Sequence, residues 1–228
     1  EYLMVQKRTA QVQSWIDAVS PTTGRVHGKV NSNGAVTGRM THNSPNLAQV
    51  PASYSPYGKD CRECWSVREG YKLVGFDASG LELRMLAHYM NDKEYINEVV
   101  NGDIHSTNQR LAGLESRDTA KTFIYALLYG AGDAKLGSVV GGNQRAGKSL
   151  RERFSSNLRS FGVLRERIQS KISYGPQMVT GLDGRLVHVR SQHSALNTLL
   201  QSAGAIVMKQ ALLLLDDYAK QWKLDYRF

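Results

Sequence analysis

Cysteine is almost absent from this sequence: only Cys61 and Cys64 carry a thiol, in a CREC run. A structural zinc needs four ligands, and no second Cys pair is there to complete one. A thioredoxin-like redox pair should follow a strand and open a helix. Reduced intracellular thiols are the expectation. A long uninterrupted apolar run is also lacking, so no membrane span is expected, and the apolar content suits one or two soluble globular cores. The sequence starts at Glu1 and not Met and shows no basic-then-apolar leader, so no export signal is expected and a start in mid-protein is. No internal repeat or low-complexity segment is evident. Acidic residues are outnumbered: 20 Asp and Glu against 29 Lys and Arg give a net charge of +9. Such an excess suits a polyanionic partner, nucleic acid first, with a generically basic soluble protein as the alternative.

Gly, Asn, Ser and Pro dominate from Thr23 to Pro56, which reads as loops and short strands. The run YKLVGFD, Tyr71 to Asp77, reads as a buried strand that delivers a carboxylate at its end. Leu83, Leu86, Ala87 and Met90 give helical spacing over Leu81 to Met90. A further helix is predicted from Arg117 to Tyr129, with Ser116 as N-cap and Gly130 and Gly132 beyond its end. Helices are predicted within Lys148 to Tyr174, and GLDG, Gly181 to Gly184, lies between MVT and RLVHV like a hairpin turn. Ala195 to Trp222 reads as one long, largely buried helix. A strand ending in Asp, a helical stretch and a return to strand and helix argue for a mixed α/β or α+β core with a helical insertion.

Three groups of residues could carry chemistry. Gly142 to Ser149, GNQRAGKS, satisfies the phosphate-loop pattern letter for letter. That loop needs a buried strand before it, whereas Leu136, Val139 and Val140 have helical spacing, so the match is read as chance, with phosphate contact by the lysines left open. Arg117, Lys121, Tyr125 and Tyr129 recur every four residues, and each such step turns only about 40° around a helix. They share one face, while Phe123, Ile124, Leu127 and Leu128 supply an apolar side. A basic stripe beside core tyrosines would look the same. Two cations followed by aromatic rings also suit a triphosphate that carries a flat base, since Arg forms a planar fork and Lys a point charge. Finally, Asp77 and Glu82 in GFDASGLELR offer a carboxylate for Mg²⁺ at a strand end, or simply a helix cap.

Taken in order, DASGLELR, RDTAKTFIYALLYGAG and HSALNTLLQSAGA resemble the motifs of family A DNA polymerases. The likeness is to the replicative enzymes of short-tailed lytic phages, and NGAVTGRMTHNSPNLAQVP and NGDIHSTNQ agree with that subgroup. It covers essentially the whole chain. It implies a partial right-hand polymerase fold: residues 1–90 as the N-terminal part of the palm with primer- and template-contacting loops, 91–175 as mainly helical fingers, and 176–228 as a return to the palm.

The resemblance also implies roles. Asp77, with the carbonyl of Ala78, would hold two Mg²⁺ ions in the intact enzyme. Ser79, Gly80 and Leu81 would line the deoxynucleotide, and Glu82, helped by Tyr125, would exclude a ribose 2′-hydroxyl. His105, Arg117 and Lys121 would face the triphosphate, with Lys121 as proton donor to pyrophosphate, and Tyr129 would stack near the templating base. Tyr at position 125 is associated with tolerance of dideoxynucleotides. Arg39, His193, Asn197 and Gln201 would track primer–template DNA along the minor groove, whose acceptors are present in every correct pair. Viral DNA replication in the cytoplasm of an infected bacterial host is implied, with no membrane partner and with any processivity factor binding outside this stretch.

The pattern departs in one place. Two-metal transfer needs a second carboxylate, which the family carries in a His-Asp pair after the long helix, and the sequence reaches Phe228 without it. Asp216, Asp217 and Asp225 are poor substitutes, since none follows a His. Residues 1–228 alone are therefore expected to be inactive. A single-subunit RNA polymerase shares the Arg-Lys-Tyr helix but should lack a bulky carboxylate gate, and a non-catalytic nucleic-acid-binding module or a phosphate-loop ATPase are the remaining alternatives.

Overall fold

The computed structural model describes residues 1–227. By internal contacts the chain divides into two compact units, residues 1–35 with 39–78, and residues 36–38 with 79 onward.

In the first unit, helix α1 (Tyr2–Ile16) buries Trp15 edge-on against Trp65, with ring centroids 5.1 Å apart. Gln11 on the same helix donates to the carbonyl of Gln49 at 2.9 Å. Two short strands, β1 (Lys29–Asn31) and β2 (Thr41–Asn43), pair antiparallel with Val30 opposite His42. Helix α2 (Gly58–Glu63) carries both free thiols, Cys61 in its buried face and Cys64 exposed at its end. Here the loops and short strands expected between Thr23 and Pro56 are found.

The second unit is mainly helical: α3 (Leu81–Met90), α4 (Lys93–Asn101), α5 (Ile104–Ala112), α6 (Arg117–Leu128), α7 (Asp133–Val139), α8 (Gln144–Asn157), α9 (Arg159–Tyr174) and α10 (Ala195–Gln221). Between α9 and α10 the strands β3 (Met178–Thr180) and β4 (Leu186–His188) form an antiparallel hairpin over GLDG, Val179 facing Val187. Local chemistry explains several helix starts. The side chains of Asp92, Asp103, Ser116 and Asn143 each accept a backbone N–H of the first turn of α4, α5, α6 and α8, satisfying a donor that the helix leaves free. The core then forms from one face of each helix. Phe154 packs edge-on to Phe123 at 5.5 Å and to Phe161 at 5.3 Å, joining α6, α8 and α9 over Leu83, Leu86, Ile124 and Leu136.

GNQRAGKS lies across the turn after α7 and into α8, with a helix and not a strand before it. Gly147 has a packing role there: a Cβ would stand 1.9 Å from the carbonyl oxygen of Asp133, so only glycine lets α7 and α8 approach so closely. Lys148 is exposed and ion-pairs with Glu152 one turn away.

Two sequence expectations are corrected. Residues 71–77 form no strand: they have no ladder partner, and Leu73, Val74 and Phe76 are 78%, 78% and 66% exposed. A strand satisfies its backbone only through a neighbour, and among the described residues none pairs with this run. The helix expected to be largely buried is buried mainly in its N-terminal half, up to Ala205, while Leu213, Leu214, Tyr218 and Trp222 are exposed. Periodicity marks a face that can be buried and says nothing of what covers it. Residues Gln192–Gln221 are moreover long and apolar enough, by length and composition alone, to cross a membrane.

Candidate functional site

The helix α6 presents the four-residue stripe as the sequence predicts. Ser116 accepts the N–H of Thr119 at 3.1 Å and fixes the first turn, so Arg117 and Lys121 project from consecutive turns of the exposed side. Phe123, Ile124, Leu127 and Leu128 bury the opposite side and hold the helix to the core. Beyond the cations the Tyr125 and Tyr129 rings lie 6.4 Å apart and 24° from parallel, with Tyr129 51% exposed.

Helix α5 brings His105 to the same place. Its ring centroid is 6.1 Å from that of Tyr125, and its buried Nδ1 has no hydrogen-bond partner among the described residues. Burial first, then repulsion from Arg117 and Lys121, holds the imidazole pKa below its ordinary value, an effect Asp103 partly offsets. Three groups able to bind phosphate therefore gather at one end of two helices: a guanidinium, an ammonium and an imidazole. Their mutual repulsion is relieved by an anion.

Sequence reasoning missed Asp103. Its carboxylate accepts from Arg117 Nε at 2.8 Å and from Arg117 Nη2 at 3.0 Å, a two-point ion pair. The hydrogen bonds from Arg117 and Ser106 hold its pKa well below the usual carboxylate range, and the same pair raises that of Arg117. The detectable signal was an Asp just ahead of a helical run and two residues before His105, which is an N-cap pattern.

The second unit places the other expected residues as follows. Ser79 and Gly80 lead into α3, where the Ser79 carbonyl accepts from Arg84 Nε at 2.9 Å and Gly80 is left-handed at φ 60°. Leu81 packs against Gly204 of α10, where a Cβ would come within 3.1 Å of it. Glu82 is half-buried in the first turn of α3. At the far end of α6, Gly130 adopts φ +79° and would meet the His193 carbonyl oxygen at 2.3 Å if it carried a Cβ. That close approach sets the exposed His193 beside the end of the Tyr125–Tyr129 stripe. Asn197 and Gln201, one turn apart and half-buried, continue from there along α10.

Arg39, Asp77 and Ala78 belong to the first unit. Arg39 and Asp77 are exposed and Ala78 is half-buried. Asp77 and the Ala78 carbonyl are hard oxygen donors, the kind Mg²⁺ takes, so they fit a share of a magnesium site. Among the described residues no group of three or more His, Cys, Asp or Glu side chains could hold a metal ion unaided. Asp216, considered as a second carboxylate, is engaged by Lys220 at 2.5 Å and by the Tyr226 hydroxyl.

Comparison with known proteins gives the family and the fold. A family model described as DNA polymerase family A matches residues 1–228. The chain is 48% identical to the DNA-directed DNA polymerases of Enterobacteria phage T3 and Escherichia phage T7, in each case over 92% of this chain and 34% of the relative. It is 29% identical to the thermostable DNA polymerase I of Thermus aquaticus over 86% of this chain and 26% of that protein. The chain thus spans 34% of the length of the phage relatives it matches. A structure of the POL domain of Pol1 from M. smegmatis, in complex with DNA primer-template and dNTP, superposes with a TM-score of 0.83 at 22% identity, covering 96% of this chain and 42% of that one. The fold is therefore part of a polymerase fold.

Proposed function

The chain belongs to DNA polymerase family A, and from that premise we propose that it is the nucleotide-binding part of a longer, template-directed DNA polymerase that extends a primer 3′-end in viral DNA replication. The observation that carries this reading is the gathering of His105, Arg117 and Lys121 beside the Tyr125 and Tyr129 rings. Cations one turn apart match the spacing of a triphosphate, and the rings beyond them offer a flat apolar surface to sugar and base.

In this reading Arg117 and His105 bind the outer phosphates of a deoxynucleoside triphosphate. Lys121 binds further in and gives its proton to the departing pyrophosphate. Glu82 and Tyr125 close the sugar pocket against a 2′-hydroxyl, with Ser79, Gly80 and Leu81 as its backbone wall. Tyr129 tests the templating base. His193, Asn197, Gln201 and Arg39 follow the primer–template duplex by donating to minor-groove acceptors, a contact that senses pairing without reading sequence. Asp77 and the Ala78 carbonyl would hold Mg²⁺. Mg²⁺ held there would supply activation of the primer hydroxyl and neutralisation of triphosphate charge. The protein's own contribution is positioning and preorganised charge, which dominate phosphoryl transfer. The proposed setting is the cytoplasm of an infected bacterium.

Primer extension tests this. A full-length polymerase containing these residues should incorporate deoxynucleotides with Mg²⁺ and lose that activity with Asp77→Ala, whereas residues 1–228 alone should extend no primer. Undiminished extension by the Asp77→Ala enzyme, or robust extension by residues 1–228, would contradict the assignment.

A further inference from the structure

Arg117 is assigned to a terminal phosphate, yet its guanidinium already holds an anion. Asp103 takes the Nε–H through Oδ2 and an Nη2–H through Oδ1. A guanidinium carries five N–H donors in a rigid planar fork. The side-on pairing to Asp103 uses two of them and leaves one Nη1 donor and the second Nη2 donor on the end-on edge. A carboxylate on that outer edge would compete with phosphate. One on the inner edge instead fixes the plane and leaves the outer edge for a second anion.

Asp103 is itself tied down. Its Oδ1 accepts the backbone N–H of His105 at 3.2 Å, capping α5, and its Oδ2 accepts the Ser106 hydroxyl at 2.7 Å. One carboxylate therefore joins the first turn of α5, which carries His105, to the first turn of α6, which carries Arg117. Its charge also offsets the repulsion among Arg117, Lys121 and His105 that would otherwise spread them before a ligand arrives.

We propose that Asp103 is a positioning residue for triphosphate recognition: it holds the Arg117 guanidinium beside His105 with its end-on edge outward, ready for a terminal phosphate. The proposal rests on the nucleotide-binding reading of this site. Its chemical consequence is selectivity. A nucleoside triphosphate reaches the presented edge and gains from the preorganisation, while a monophosphate of the same base does not.

The test is displacement of a fluorescent deoxynucleoside triphosphate from residues 1–228 by dTTP and by dTMP, in the presence of Mg²⁺. Asp103→Ala should weaken dTTP about fivefold or more, as for coupled neighbouring groups, and leave dTMP unchanged. The loss should vanish when Arg117→Ala is already present, because Asp103 acts through that side chain. Asp103→Asn keeps a capping side chain for α5 but removes the charge, so it should show the same selective loss in a chain whose helix start is intact. Asp103→Glu should recover part of the affinity. Equal or tighter dTTP binding by Asp103→Ala and Asp103→Asn, an equal loss for dTMP, or a loss that persists in the Arg117→Ala background would each overturn the proposal. If Arg117→Ala and Lys121→Ala leave dTTP binding unchanged, the nucleotide reading fails and takes this proposal with it. If those two weaken it and the Asp103 variants do not, only the role of Asp103 fails.

Discussion

Residues Arg117–Leu128 and residues 71–77 are both apolar-rich segments that carry a group assigned to the same reaction, and they are held in opposite ways. Helix α6 closes its hydrogen bonds within itself, starts on the Ser116 cap and buries Phe123 and Ile124 completely. The stretch ending in Asp77 has no ladder, and its Phe76 is 66% exposed. A helix can hold Arg117 and Lys121 in register from its own backbone, whereas an extended run can place a carboxylate only with the help of a neighbouring strand. The face proposed for the triphosphate is thus preorganised by local structure, whereas the placement of the Asp77 carboxylate depends on structure outside its segment.

The largest expected effect separates the two regions by stability. Phe123→Ala should cost about 3–5 kcal/mol, the range for emptying a buried aromatic site, in chemical denaturation. Phe76→Ala should change stability by less than about 0.5 kcal/mol, as surface changes do. A large loss from Phe76→Ala would mean that residues 71–77 are packed after all, and the contrast would collapse.

A smaller effect sharpens the account of the α6 face. His105 has its pKa held below the ordinary 6.5, by burial and then by Arg117 and Lys121. The unfolded chain therefore binds the proton more readily, and stability should fall as pH drops through about 6.5 toward the lower folded pKa. The melting temperature followed from neutral to acid pH should show this, and His105→Gln should flatten it over that window. An unchanged profile in His105→Gln would place the imidazole in solvent rather than among the cations.

The same contrast explains what could be read in advance. Helix α3 spans Leu81–Met90 as its spacing predicts, and GLDG turns a hairpin, because capping, periodicity and turn chemistry are short-range. The stripe on α6 was legible for that reason, and so was the rejection of GNQRAGKS as a phosphate loop. The strand at 71–77 and the burial of the C-terminal half of α10 were not, since each depends on a partner surface that the segment does not contain. Asp103 was missed because its role is a contact with Arg117, fourteen residues away, that only the packing of α5 on α6 creates.

The most direct test of the central claim compares two lysines for triphosphate binding by residues 1–228. Lys121, on the α6 face, should be required, and Lys121→Ala should weaken dTTP binding roughly tenfold or more, the scale of a lost charged hydrogen bond. Lys148, in the phosphate-loop-like sequence, should be dispensable, and Lys148→Ala should bind dTTP as the unaltered chain does. Loss of binding in Lys148→Ala with full binding in Lys121→Ala would move the nucleotide to the start of α8 and contradict the assignment of α6.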